Sequence, residues 1–162
     1  MRPIVDWRSD LYELVLKLEV QVGTTIRKVR CLFDSGARIP LTIRHGVFPE
    51  EKLKSARYPV QFCTVNGKPM RGGDSGLFAS LRLPICVKGD MFIFVKTMAL
   101  FAYTADLHDI DIIVGYPFLK AFNLLIDCAQ DRLRIGLDPI TGAKSPDIVI
   151  SQVKQGTEDF IE

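Results

Sequence analysis

Histidine is scarce in this sequence, and its cysteines are scattered. Two histidines, His45 and His108, and four cysteines without a Cys-x-x-Cys pair offer none of the usual zinc-ligand spacings, so no metal site and no cofactor are expected. Strong charge is also missing. The formal net charge is +2 and no run of Lys and Arg occurs, which removes the electrostatic case for nucleic acid or a membrane surface as partner. Long apolar runs are absent too. The longest, Met91 to Tyr103, is interrupted by Lys96 and falls short of the roughly 20 residues of a spanning helix; it reads as strand, bend, strand. The opening Met1-Arg2-Pro3-Ile4-Val5-Asp6 is too polar for a secretory core region. Cys31, Cys63, Cys86 and Cys128 each lie in or beside an apolar run, where a free thiol behaves as a small hydrophobe. The even count permits disulfides, but free thiols, a reducing compartment and a cytoplasmic location are expected.

What is present is the composition of one ordinary globular domain: 162 residues, 48% apolar and 25% charged, enough to bury a core. The first ten residues read as a leader or linker, with Trp7 as a possible contact back to the domain. From Leu14 to Val22, apolar residues alternate with Lys, Glu and Gln, the period of a half-buried strand. Gly23-Thr24-Thr25 turns the chain, and Ile26 to Phe33 returns as the second arm of a hairpin. Pro49 to Ala56 reads as a brief polar helix or loop, and Tyr58 to Val65 as a strand. Asn66-Gly67 is a strong hairpin signal, because such a turn favours positive φ at both positions. Two further strands are expected around Lys88-Gly89-Asp90, and another at Asp109 to Gly115 before a short helix opened by Pro117. Leu124 to Cys128 and Asp131 to Gly136 are the last expected strands. From Asp138, Pro, Gly, Ser, Thr and charge dominate, with Ile148-Val149-Ile150 an apolar island. Residues 138–162 therefore read as a flexible tail or polyprotein linker, leaving 11–137 as an all-β domain with one short helix near its C-terminal end.

Chemistry concentrates at Val29-Arg30-Cys31-Leu32-Phe33-Asp34-Ser35-Gly36-Ala37. An apolar strand ends abruptly in a carboxylic acid, a hydroxyl and a glycine that permits a tight turn. An acid at the base of such a loop lies close to apolar surroundings able to move its pKa. The plain alternative is a turn with Asp34 exposed, since Asp, Ser and Gly are common turn formers. A second Asp-Ser-Gly, Asp74-Ser75-Gly76, follows Arg71-Gly72-Gly73; with no buried strand leading into it, a glycine-rich surface turn, mobile or bulged, is expected there. Asp106, Asp109 and Asp111 near His108 read as a solvated loop before a buried strand.

The run Cys31 to Ala37 resembles the active-site loop of aspartic proteases, hydrophobic-hydrophobic-Asp-Thr/Ser-Gly-Ala/Ser. Two further segments resemble the retropepsin-like (retroviral and LTR-retrotransposon) family. Thr64-Val65-Asn66-Gly67-Lys68-Pro69 is similar to the family's flap in its retrotransposon form. Asp111-Ile112-Ile113-Val114-Gly115-Tyr116-Pro117-Phe118-Leu119, followed by Asn123 to Asp127, is similar to its Ile-Ile/Leu-Gly strand, short helix and next strand. The likeness spans about residues 11 to 137. Two positions depart from it: Arg38 stands where retroviral enzymes often carry Asp, and Tyr116 where they often carry Arg, so the ion pair that braces many viral dimers is missing in that form.

The resemblance implies a closed, barrel-like acid-protease fold working as a two-fold homodimer. It implies Asp34 as the catalytic residue, Ser35, Gly36 and Ala37 as the active-site loop, and Val65, Asn66 and Gly67 as a flap over an extended peptide or polyprotein substrate. Processing of a retroelement Gag-Pol-type polyprotein, in the cytoplasm or in virus-like particles, follows from it. The alternatives are a cellular retropepsin-like domain, as in ubiquitin-shuttle proteins, and a catalytically silent dimeric β-domain for binding or assembly. A two-lobed enzyme using Asp34 and Asp74 together is disfavoured, since 162 residues are about half of what two lobes require.

Overall fold

The computed structural model describes residues 14–64, 66–87, 91–130, 132–136, 141–142 and 149–150. The expected leader 1–10 with Trp7, the expected flap residue Val65, the expected turn at 88–90 and most of the expected tail lie outside these residues. The elements in chain order are β1 (Val15–Val22), β2 (Thr25–Asp34), β3 (Leu41–Arg44), β4 (Lys54–Ser55), β5 (Phe62–Cys63), β6 (Pro69–Met70), β7 (Gly72–Val87), β8 (Met91–Lys96), β9 (Leu100–Ala105), β10 (Ile112–Gly115), α1 (Tyr116–Ala121), β11 (Leu124–Asp127), β12 (Arg132–Ile135) and β13 (Val149–Ile150).

The expected alternation is the origin of the core. On β1, Leu16, Leu18 and Val20 are fully buried; on β2, Val29, Cys31 and Phe33 turn to the same interior. The two strands pair antiparallel from Val15–Leu32 to Val22–Thr25. Six strands close on themselves in the order β1, β2, β10, β3, β9, β7, with β7 pairing back to β1. The described residues are thus all-β, with one closed six-stranded barrel and a single short α-helix. Closure removes free edges from the barrel wall. Leu41, Ile43, Leu77, Leu81, Ile112, Val114 and Phe118 complete the interior. Each such side chain contributes about 1.5–3 kcal/mol by leaving water.

Three local differences from the sequence expectation have clear causes. Of the described part of the arm from Tyr58, only Phe62–Cys63 is strand, because Pro59 lacks an N–H and β5 pairs with β6 in a separate two-stranded sheet. The glycine-rich segment, expected as a mobile or bulged surface turn, is the bulged start of the long β7, with a register shift between Gly72 and Gly76. Its glycines are set by close approach: a Cβ on Gly73 would lie 1.9 Å from the Val60 carbonyl, and one on Gly76 2.1 Å from that of Ala102. Finally, the expected tail from 138 to 162 is corrected at Val149–Ile150, which forms β13 between β12 and β7. Ile150 is fully buried, so the apolar island fills a slot that β7 and β12 leave open.

Burial also sorts the cysteines. Cys31, Cys63 and Cys128 are free thiols; Cys63 and Cys128 are exposed, and Cys31 is buried. Burial, helped by the negative charge of Asp111, pushes the Cys31 thiol well above its ordinary range, so it stays protonated and unreactive. In the folded protein, iodoacetamide is expected to alkylate Cys63 and Cys128 and to spare Cys31 until denaturant is added. Peptide mass spectrometry reads this directly, and native-state modification of Cys31 would contradict its burial.

Candidate active site

β2 and β3 are joined by residues 35–40, and β10 runs between them, parallel to β2 and antiparallel to β3. This threading holds the Asp34 loop. Asp34 ends β2 directly opposite Gly115, the last residue of β10. Its Oδ1 accepts the Gly36 N–H at 2.8 Å, and its carbonyl accepts the Ala37 N–H at 3.1 Å. The loop is then laced to the start of α1: Gly115 N–H donates to the Pro40 carbonyl and Tyr116 N–H to that of Ala37, each at 2.9 Å. Gly115 is required by this contact, since a Cβ there would lie 2.0 Å from the Ile39 carbonyl. The short helix follows from Pro117 in the first turn and from burial of Phe118 and Leu119. It ends where Asn123 takes a φ of +52°, a conformation asparagine tolerates better than most residues.

Asp34, Ser35 and Gly36 are exposed in the single chain, and Ala37 is half-buried. Gly36 does not occupy the left-handed region, so positive φ is not the reason for glycine there. A Cβ at Gly36 would instead sit 3.2 Å from the Asp34 Oδ1, pressing on the carboxylate that its own N–H binds.

One turn of pairing further down, Asp111 fastens the same three strands. Its Oδ2 accepts the Arg30 N–H at 2.9 Å, and its Oδ1 takes the Arg44 Nη2 at 2.8 Å and Nε at 3.1 Å. Asp111 is therefore not part of a solvated loop: a forked ion pair with Arg44, about four-fifths buried on the carboxylate side, ties β10 to β2 and β3. Asp127 caps the turn after β11 by accepting the Gln130 N–H at 3.1 Å. Among the described residues no group of three or more His, Cys, Asp and Glu side chains could hold a metal ion.

The second Asp-Ser-Gly is built differently. Asp74 is exposed on the bulge of β7. Its carbonyl accepts the Ala56 N–H at 2.8 Å, and the Ser75 hydroxyl is 2.9 Å from that of Thr104. Ser75 thus serves the sheet rather than an open loop.

Cross-strand pairing shows which side chains share a face with Asp34. Leu32, two residues earlier, is opposite Ile113; Ile113 is opposite Thr42; Thr42 is opposite Tyr103. Directly paired residues project to one side of a sheet, so this row stands on the Asp34 side, away from the core. The β5–β6 hairpin lies over its far end. The Phe62 ring meets the Tyr103 ring edge-on at 6.5 Å, and the Tyr103 hydroxyl donates to the Tyr58 carbonyl at 2.8 Å. At the hairpin tip, Thr64 N–H donates to the Lys68 carbonyl at 2.8 Å and Gly67 N–H to the Thr64 carbonyl at 2.9 Å. Gly67 has a φ of +79° while Asn66 does not enter the positive region. The tip is therefore a three-residue loop closed by a left-handed glycine, not the two-residue form expected from Asn-Gly. Sequence reasoning missed Ile113, Thr42, Tyr103 and Phe62 as neighbours of the site. The alternation of Phe101 and Tyr103 was a signal of one shared face, but only pairing reveals which face it is.

No protein-family model matches this sequence, and no curated protein matches it. Among solved structures the chain is similar to the retroviral protease-like domain of Ddi1 from Leishmania major, at 14% identity and a TM-score of 0.47, with 88% of this chain and 97% of that chain covered.

Proposed function

We propose that this chain is one half of a homodimeric aspartic endopeptidase of the retropepsin-like type, with Asp34 as its catalytic residue. The observation that carries the proposal is the Asp34 loop. A carboxylate ends a buried strand, exposed and turned by its own Gly36 amide, on a sheet face that a β-hairpin overhangs. Amide hydrolysis by carboxylates takes two of them. One accepts a proton from water as that water attacks the carbonyl carbon, and the other donates a hydrogen bond or proton to the carbonyl oxygen. The resulting diol collapses as the nitrogen takes up a proton and leaves, giving an acid and an amine with no covalent enzyme intermediate. Each chain supplies one suitable acid, so two copies meet about a two-fold axis with both Asp34 carboxyls on a shared water. Such a pair holds one proton between them and titrates as a unit; aspartic proteases are the handling of like charges from which this behaviour is known.

In this assignment Ser35 bonds across to the partner's loop, Gly36 and Ala37 admit the substrate backbone, and Val65, Asn66 and Gly67 form the flap tip over an extended peptide. The hairpin's likeness to the retrotransposon form supports a retroelement polyprotein as substrate. The free thiols of Cys31, Cys63 and Cys128 support a cytoplasmic site of action.

The direct test is incubation of the purified chain with a peptide library from acidic to neutral pH, with and without pepstatin. Pepstatin-sensitive cleavage is expected. A folded, dimeric chain that cleaves nothing would instead be a silent binding domain.

A flap role makes Gly67 informative. Its φ of +79° strains any side chain, yet a Cβ there meets nothing within 4 Å. Gly67→Val is expected to cost about 1–2 kcal/mol locally with a small change in Tm, while kcat/KM falls roughly tenfold through poorer closure. An unchanged kcat/KM in a folded variant would remove the hairpin from the mechanism.

A further inference from the structure

The row Leu32, Ile113, Thr42, Tyr103 runs across β2, β10, β3 and β9 on the face that carries Asp34. Neighbouring strands are about 4.8 Å apart, so Tyr103 lies two spacings, roughly 10 Å, beyond Ile113. Leu32 and Ile113 are half-buried aliphatics and Thr42 is almost covered. Tyr103 is the one large ring of the row, and it is held from three sides. Phe101 meets it edge-on at 5.1 Å, Phe62 of the hairpin does so at 6.5 Å, and its hydroxyl donates to the Tyr58 carbonyl at 2.8 Å. These three contacts fix the position of the ring at the end of the row.

We propose that Tyr103 is a specificity-determining residue: it closes the far end of this row, three strands away from β2, and limits one position of a bound peptide, at a distance from the cleaved bond, to small or β-branched aliphatic side chains. The inference rests on the aspartic-peptidase assignment and deepens it. An extended peptide between the sheet face and the hairpin sets alternate side chains onto the face. One of them meets the half-buried Tyr103 ring. The same ring also supports the hairpin stem at Tyr58 and Phe62, so an oversized side chain displaces ring and hairpin together. Selectivity and hairpin seating are thereby coupled in one residue.

The test compares the full-length wild type, Tyr103→Ala and Tyr103→Phe on one peptide library. Tyr103→Ala is expected to raise kcat/KM for peptides with Phe or Trp at that single position, relative to Val, by roughly tenfold or more, with preferences elsewhere unchanged. Tyr103→Phe keeps the ring and loses only the tie to Tyr58, so its preferences stay those of the wild type while KM rises a few-fold at nearly constant kcat. An active Tyr103→Ala with wild-type preferences, or with activity lowered equally for every peptide, would overturn the inference and leave the peptidase assignment intact. A wild type that cleaves no member of the library overturns the assignment, and this inference with it. If Tyr103→Ala fails to fold, Tyr103→Leu decides instead: relaxed selectivity supports the proposal and unchanged selectivity overturns it.

Discussion

Asp34→Asn is expected to lower kcat/KM by at least roughly three orders of magnitude while the protein stays folded. The amide is nearly isosteric with the carboxyl, and its oxygen can still accept the Gly36 N–H that the carboxylate now takes at 2.8 Å. The loop is held mainly by backbone bonds, among them Tyr116 to Ala37 and Gly115 to Pro40, none of which the substitution touches. What is lost is chemical: an amide cannot accept the proton of the attacking water or share one with a second carboxyl. The assay is cleavage of the best library peptide, with the melting curve measured on the same preparation. Substantial turnover by a pure, folded variant would end the catalytic assignment. Asp74→Asn is the matched control. Asp74 is exposed on the bulge of β7, so its loss should cost little, and a comparable defect there would move the chemistry to the second Asp-Ser-Gly.

Dilution is expected to abolish activity almost as completely. A single chain carries half of the proposed dyad, so specific activity should fall as enzyme concentration passes below the dimer dissociation constant. Mixing wild type with Asp34→Asn extends this test. If subunits exchange freely, roughly one quarter of all dimers in an equal mixture are wild type, the square of the one-half fraction. Mixed dimers hold one carboxyl and one amide and should be nearly inactive. The pH profile of the wild type should be bell-shaped, because one member of the pair must be ionised and the other protonated. Constant activity per mole at concentrations where sedimentation finds only monomer would refute the dimer and require a second acid from the same chain.

Much of the barrel could be read from local pattern. The alternation of Leu16, Leu18 and Val20 against Lys17, Glu19 and Gln21 defines a strand with one buried face, because successive side chains of a strand point to opposite sides. The abrupt change from Phe33 to Asp34 marks the strand end, and Pro117 with Phe118 and Leu119 marks the helix. These are short-range signals carried by neighbouring residues. The hairpin at Asn66-Gly67 was legible as a turn, but its form was not: only Gly67 takes positive φ, because the Thr64–Lys68 bond closes a longer loop than the dipeptide alone implies.

Long-range pairing decided the remainder. That β10 threads between β2 and β3 depends on contacts between residues some eighty positions apart, such as Arg30 and Asp111, and no local period encodes them. Asp111 looked like a solvated loop acid because its partner, Arg44, is distant in sequence. Val149 and Ile150 looked like part of a tail because two residues in a polar segment cannot signal a strand; they become one only where β7 and β12 leave a slot between them. Tyr103 acquires a place on the Asp34 face solely through the register that joins Leu32, Ile113 and Thr42. The sequence by itself determined which residues are buried along each strand and where an acid stands at a strand end, since those follow from side-chain chemistry and the two-residue period. Only the tertiary structure decided which strands become neighbours and what shares the face with Asp34, since register is a property of pairs of strands and not of either one.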